Sequence, residues 1–329
     1  MVRMIEIFRS SCLTPMMLFI HFSHLSIELG NHVIYRNFRP FLKLIKHGII
    51  LGNLVPVIAG YLLALNLAEN FNVSRFIATI IGISAIIASA TIANNIIDRD
   101  IDRIMTRTQN RPLVNGDISL KTALILSIIA AIIGFYLLFV EVNRLAGFFA
   151  LIGFIDYILL YSLIFKRNST LSILVGSISG AVPPLVGYVA VSNQIDNNIL
   201  FLFIIFATWQ VAHSYAITLY RKKDYQSAKI PMAPLFLSLK RTQKEMALYV
   251  GAMAVATLLL ALESFHFLAM QILIIAITLY WLIDILRPIQ TEESRWGRRQ
   301  FLNSLLLIMA FCFTIMIDYL FTHLINVTL

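Results

Sequence analysis

The sequence predicts an all-α, polytopic membrane protein, and three observations carry that prediction. The chain has 329 residues, 59% hydrophobic and 13% charged, with a mean hydropathy of +0.83; a soluble globular chain carries about 25% charged residues. Its apolar residues gather into recurring runs near the ~20 residues that a helix needs to cross a bilayer. These runs are continuous, whereas the strands of a membrane barrel alternate over about ten residues. A backbone in lipid satisfies its own polar groups only within helices or closed barrels, so continuous runs mean helices.

The first element is the least regular. The apolar run 12–22 is too short to span. It follows Arg3 and Arg9 in loose likeness to a secretory signal, but no small-residue cleavage site comes after it. We expect residues 1–35 to be an interfacial or disordered extension and 36–329 to form the transmembrane domain. From Arg36 the pattern settles into about nine spans, at roughly 48–66, 76–97, 120–140, 145–164, 171–191, 199–218, 246–264, 267–286 and 301–323.

The charges between spans fix an orientation. Arg36, Arg39, Lys43 and Lys46 precede the first span. Arg99, Arg103, Arg107, Arg111 and Lys121 follow the second, and Lys166 and Arg167 the fourth. Arg221, Lys222, Lys223, Lys229, Lys240, Arg241 and Lys244 follow the sixth; Arg287, Arg295, Arg298 and Arg299 follow the eighth. The alternate loops hold only Arg75 and Arg144. Basic loops stay inside, so the N-terminus and polar loops are expected in the cytoplasm and the C-terminus outside, with an odd number of spans. This placement accounts for the net charge of +9 without a nucleic-acid partner. Cys12 and Cys312 match no metal spacing or disulfide framework.

Two cytoplasmic loops, 98–119 and 219–245, are longer than connection requires. The first opens on A-N-N-I-I-D-R-D-I-D-R-I-M-T-R-T-Q-N-R-P-L-V-N-G at 93–116. Asn94, Asp98 and Asp102 recur every four residues, which puts them on one helical face. Two carboxylates and an amide there suit Mg²⁺, which prefers hard oxygen ligands, water and substrate phosphates. Arg99, Arg103 and Arg107 form a neighbouring basic stripe, and Arg111 follows it. Acids for a metal beside guanidiniums for phosphate oxygens suit a metal–diphosphate complex. The bland alternative is a helix end with solvated, self-pairing charges. Asn94 and the R-T-x-x-R-P-L tail favour the site.

The second loop closes the span W-Q-V-A-H-S-Y-A-I-T-L-Y at 209–220. Gln210, His213 and Ser214 are polar at membrane depth, where such groups usually face a cavity or a partner. His213, Ile217 and Tyr220 share a face, and Asp224 continues it if the helix runs on. Asp224 is a candidate ligand for a second metal; Arg221, Lys222 and Lys223 are candidates to grip diphosphate. Positive-inside charge is the competing account of the lysines, and an interhelical hydrogen bond that of His213. Gly176, Gly180, Pro183, Pro184 and Gly187 crowd the fifth span, implying close helix packing and a kink or break at the prolines. Asp156 and Asp318 lie inside spans. A charged Asp at the bilayer centre costs about 2.5–3.5 kcal/mol on insertion scales, so Asp156 is expected to be protonated or to face a cavity.

These residues resemble the UbiA family of membrane prenyltransferases. The N-x-x-x-D-x-x-x-D element at 94–102 carries the resemblance to the whole family. F-K-R-N-S-T-L-S-I-L-V-G-S-I-S-G-A-V-P-P-L-V-G-Y at 165–188 and H-S-Y-A-I-T-L-Y-R-K-K-D-Y-Q-S-A-K-I-P-M-A-P at 213–234 resemble its heme-farnesylating branch. The resemblance runs from about Lys43 to the last span. It implies nine helices round a central cavity capped by the two polar loops. It implies farnesyl diphosphate and heme b as substrates, Mg²⁺ as cofactor, heme O and diphosphate as products, and a bacterial inner membrane as setting. Heme A synthase or terminal-oxidase assembly factors are the protein partners it suggests. Asp98, Asp102, Asp224 and His213 are then the expected catalytic residues, with Asn94 a further metal ligand. Arg103, Arg107, Arg111, Arg221, Lys222 and Lys223 would serve the diphosphate. Trp209, Tyr215 and Tyr220 would line a porphyrin slot, with His213 a candidate iron ligand. Two departures stand out: His213 occupies the start of the second motif, where the wider family tends to have an acid, and the first span opens I-K-H-G at 45–48 where the branch has T-K-P-G. The rivals are a family enzyme with an aromatic or quinone-precursor acceptor and, from another class, a transporter using Asp156 and Asp318.

Overall fold

The computed structural model describes residues 39–68 and 71–328; the expected extension 1–35 lies outside them. Among the described residues nine helices are long and apolar enough to cross a membrane, as the charge alternation requires. They are α1 His47–Ala68, α2 Val73–Ile97, α3 Leu120–Val142, α4 Arg144–Asn168, α5 Ser172–Ser192, α6 Asn197–Tyr220, α7 Leu239–Ser264, α8 Leu268–Leu286 and α9 Glu293–Thr328.

The helices start on side-chain caps. Asn72, Ser119, Asn143, Asp196 and Ser238 each accept the backbone N–H three residues on, satisfying a donor that the first turn leaves open. This cap explains why α7 begins at Leu239 rather than near 246. Its polar first turns are helical although they lie beyond the apolar span. α9 extends the same way.

α5 and α6 are the most buried spans, and α3, α4 and then α8 the least. The outer faces show Ile125, Ile129, Ile132 and Ile133 on α3, and Ile272, Tyr280, Ile283 and Leu286 on α8. In a soluble protein these would be an aggregation surface; here they are the lipid face. Glycine sets the central contact. A Cβ on Gly60 would lie 2.1 Å from Pro184 O, and one on Gly187 2.0 Å from Val57 O, so the backbones of α1 and α5 touch. α5 runs unbroken through Pro183 and Pro184, rather than breaking there. Between α2 and α3, Ser89 and Ser127 exchange hydroxyl-to-carbonyl bonds of 2.7 and 3.0 Å.

Among the described residues two stretches have π pitch: Leu137–Val142, ending α3, and Asp156–Phe165, the second half of α4. Such stretches often mark functional positions. The second one faces the acid row.

Candidate active site

Asn94, Asp98 and Asp102 come together as expected, but not on one straight helix. α2 ends at Ile97 and a short helix Arg99–Ile104 follows, with Asp98 at the joint. The backbone bonds Asp98 N→Asn94 O (2.9 Å) and Asp102 N→Asp98 O (2.8 Å) persist through it, so the four-residue phase survives. All three side chains are buried, at 3%, 1% and 3% exposure, which argues against solvated helix-end charges.

Cations from other segments stand on each member. Lys46 Nζ donates to Asn94 Oδ1 at 2.8 Å, Lys166 Nζ pairs with Asp98 Oδ2 and Arg111 Nη1 with Asp102 Oδ2. Asn94 Nδ2 bridges to Asp98 Oδ2 (2.7 Å) and Ser162 Oγ (3.0 Å). Two carboxylates and an amide thus meet two lysines and an arginine. Burial, reinforced by Arg111 and Lys166, holds the Lys46 ammonium well below the usual lysine range, against the pull of Asp98 and Asp102. Asp98 Oδ1 is buried with no partner. A sealed carboxylate oxygen with unused lone pairs beside further oxygen donors fits a hard cation such as Mg²⁺.

The loop's remaining basic residues divide. Arg99 Nε donates to Leu113 O at 2.9 Å and so serves the fold. The helix ends at Ile104, so the expected stripe does not reach Arg107 along one face. Arg103 and Arg107 are exposed. The R-P-L-V-N-G string forms one helical turn, with Pro112 starting it and Gly116 (φ 83°) ending it in the left-handed region, the usual positions of these residues. Arg167 forks onto Asp100 with two 2.7 Å bonds and reaches Ile97 O at 2.7 Å. That hydrogen bonding holds the Asp100 carboxyl down to about 2.

Lys166, Lys46, Ser162 and the tyrosine pair Tyr157 and Tyr161 are site residues that sequence reading missed. The π pitch explains α4's part. Ser162 Oγ donates to Tyr157 O, five residues back, and so accepts from Asn94. Tyr157 and Tyr161 stack at 5.8 Å, and Lys166 Nζ lies 5.7 Å from the Tyr161 ring centroid. One signal was available: Lys46 and Lys166 flank spans on the same side as the acid row.

The second cluster is arranged differently from the expectation. α6 ends at Tyr220, Arg221 breaks the helix and Lys222–Ser227 starts a new one, so Asp224 leaves the face of His213 and Tyr220. Among the described residues no group of three His, Cys, Asp or Glu side chains gathers to hold a metal, so Asp224 does not join Asp98 and Asp102 in one. Lys222 Nζ pairs with Glu293 (2.8 Å), Arg221 lies 4.3 Å over the Tyr220 ring, and Lys223 is exposed. Tyr215 OH donates to Glu245 (3.0 Å), turning it towards α7. Trp209, His213, Phe301 and Tyr220 form a continuous aromatic contact between α6 and α9. Ser172 Oγ donates to Met232 Sδ at 3.6 Å, which fastens this loop over the start of α5.

Of the intramembrane acids, Asp318 accepts the backbone N–H groups of His266 (3.3 Å) and Phe267 (3.2 Å) and so caps the start of α8. Asp156 Oδ2 accepts Ser179 N–H at 2.9 Å, while Oδ1 is buried without a partner.

A family model described as the UbiA prenyltransferase family matches residues 53–305. Proteins named protoheme IX farnesyltransferase from Yersinia pseudotuberculosis and Pectobacterium carotovorum are each 42% identical over 282 residues, 85% of this chain and 95% of theirs. Among solved structures, a UbiA homologue from Archaeoglobus fulgidus bound to GPP and Mg²⁺ superposes with TM-score 0.61 at 17% identity, covering 84% of this chain and 99% of that one. An apo UbiA homologue from Aeropyrum pernix K1 gives 0.65 at 19% identity, over 83% and 98%.

Proposed function

We propose, on the premise that the chain belongs to the UbiA prenyltransferase family, that it transfers a farnesyl group from farnesyl diphosphate to a vinyl group of heme b, after which one water adds its hydroxyl to the resulting cation and releases a proton, giving heme O and diphosphate. The observation that carries the acceptor is the 42% identity to protoheme IX farnesyltransferases over nearly their whole length. The buried acid row supports the donor half of the reaction.

Asn94, Asp98 and Asp102 would hold Mg²⁺, whose charge when bound stabilises the departing diphosphate. Lys46, Lys166 and Arg111 rest on Asn94 Oδ1, Asp98 Oδ2 and Asp102 Oδ2, and Asp98 Oδ1 is left without a partner for such an ion. With Mg²⁺ held there, Lys166 and Arg111 would be placed to meet the phosphate oxygens and neutralise charge growing during C–O cleavage, and Lys46 to donate a hydrogen bond to them. Arg103, Arg107 and Lys223, exposed at the cap, draw the anion in, and Arg221 and Lys222 border its path. Asp224, on the facing loop, is the candidate donor for a second Mg²⁺. The stacked Tyr157 and Tyr161, beside the lysine that pairs with Asp98, would keep out water that could quench the farnesyl cation before it meets the vinyl group. Tyr215 and Tyr220 support the second loop through Glu245 and Arg221.

The enzyme spans a bacterial inner membrane with the N-terminus and both polar loops cytoplasmic and the C-terminus outside, as its basic loops favour. Heme O passes to a terminal-oxidase assembly factor or to heme A synthase. The transporter reading loses one of its two acids, because Asp318 is used in capping α8. The acceptor is tested by supplying membranes containing the chain with farnesyl diphosphate and an equimolar mixture of heme b and an aromatic acid. Heme O alone is expected; a prenylated aromatic acid would replace the heme assignment with the rival acceptor.

A further inference from the structure

Gln210 carries an amide at membrane depth that the fold does not use. Among the described residues it takes part in no hydrogen bond, and neither amide atom is among the buried groups sealed without a partner. Both atoms therefore meet open space. That space lies inside the bundle. No residue of α6 from 201 to 220 is fully exposed, yet Phe203, Ala207, Gln210, Ser214 and Ile217 are partly open. Their spacing of four and three puts them on one face. Gln210 leans on α5 there: a Cβ on Gly180 would lie 2.8 Å from Gln210 Cγ and 3.1 Å from its Oε1. On α5, Gly176, Ser179 and Gly180 are partly open, and every residue from Ala181 to Val191 is buried. The seam between the two helices is thus floored near Gly180 and opens towards the start of α5.

α5 supplies unused acceptors at that floor. Pro183 and Pro184 carry no N–H, so Ser179 O and Gly180 O lose their helical donors. An amide and two open carbonyls provide the two to four polar partners that a buried water needs. An apolar side chain would fill the seam without the cost of a polar group at this depth. The floor is also close to the acid row. Asp98 pairs with Lys166, Lys166 lies over the Tyr161 ring, and a Cβ on Gly176 would lie 2.8 Å from Tyr161 Cδ2. Gly180 is one turn further along α5, about 6 Å. The cation left after transfer sits two bonds from the farnesyl carbon released at the acid row, so a water one turn away is within its reach.

We propose that Gln210 and the open carbonyls of Ser179 and Gly180 hold the water that completes the product. This deepens the reading of heme b as acceptor and rests on it. Gln210 Oε1 and one carbonyl accept the water's two protons, which turns its lone pairs to the cation. The oxygen bonds to the cationic carbon, one O–H bond breaks, its electron pair stays on oxygen and the proton passes to a second water. Without a held water the cation sheds a proton from the neighbouring carbon, and the product is an alkene lighter than heme O by one water. The test gives purified full-length chain in detergent farnesyl diphosphate, heme b and Mg²⁺, measures released diphosphate and resolves the porphyrins by mass. The wild type should give heme O. Gln210→Leu should still release diphosphate and raise the alkene-to-alcohol ratio about tenfold, the effect of one lost hydrogen bond. Pro184→Ala returns an N–H to Gly180 O, leaves Gln210 in place and should move the ratio in the same direction. A wild-type ratio in either variant overturns the water site and leaves the heme reading intact; if Gln210→Leu does not fold, Pro184→Ala alone decides. Loss of diphosphate release in a folded Gln210→Leu also overturns the site, since water capture follows cleavage. A wild type that forms no farnesylated heme overturns the acceptor reading and this site with it.

Discussion

Asp98 and Lys166 form a pair exposed by only 1% and 13%, and that burial sets what each substitution does. Removing one partner of a buried ion pair leaves a bare charge and costs about 3–5 kcal/mol. Lys166→Met should therefore lower the melting temperature of the detergent-solubilised protein when Mg²⁺ is chelated. Adding Mg²⁺ should stabilise this variant more than the wild type, because the acid then has no competing cation. Equal Mg²⁺ effects in the two proteins would argue against metal binding at Asp98. Asp100 gives a pH prediction. Its carboxyl is held at about 2, from an ordinary 3.8, by hydrogen bonds from Arg167. A depressed carboxylate stabilises the fold above its unfolded value and loses that contribution as pH falls through the folded one. Melting between pH 4 and pH 2 should therefore fall more steeply for the wild type than for Arg167→Ala. The effect is small because Asp100 is 65% exposed and solvent screens it. At this scale the acids were legible, since i, i+4 spacing is a local property. Lys46, Lys166 and Ser162 were not, because their role depends on which spans pack together.

The π stretch Asp156–Phe165 is the element on which the site's geometry turns. Hydropathy places a helix there but carries no information about its pitch. Wider pitch brings Ser162 to Asn94 and Lys166 to Asp98 on one face. Deleting Leu159, which points outward at 47% exposure, should rotate the two halves of α4 by about 100° relative to each other. We expect the shortened protein to insert and to lose at least 100-fold in turnover, as Lys166 leaves Asp98. Wild-type turnover would show that the pitch is incidental. The α6 break at Arg221 was equally hidden. Nothing in T-L-Y-R-K-K-D-Y marks it, whereas Pro112 and Gly116 announce their own turn.

Across the whole molecule, span number and charge asymmetry were readable, because membrane thickness and loop charge act on composition alone. The α1–α5 backbone contact at Gly60 and Gly187 was only half readable. Small residues announced close packing, but not their partner. The basic loops predict an orientation. A phosphatase fused after residue 329 should be active outside, and one fused after Arg241 inactive; the reverse would invert the topology and put the acids on the outer face. The central claim is that the buried acid row drives farnesyl transfer to heme, and Asp98→Asn tests it most directly. Membranes carrying matched amounts of wild-type and variant chain are given farnesyl diphosphate, heme b and Mg²⁺, and pigments are extracted. The account predicts heme O from the wild type and at least 100-fold less from Asp98→Asn; wild-type yield from the variant would contradict it.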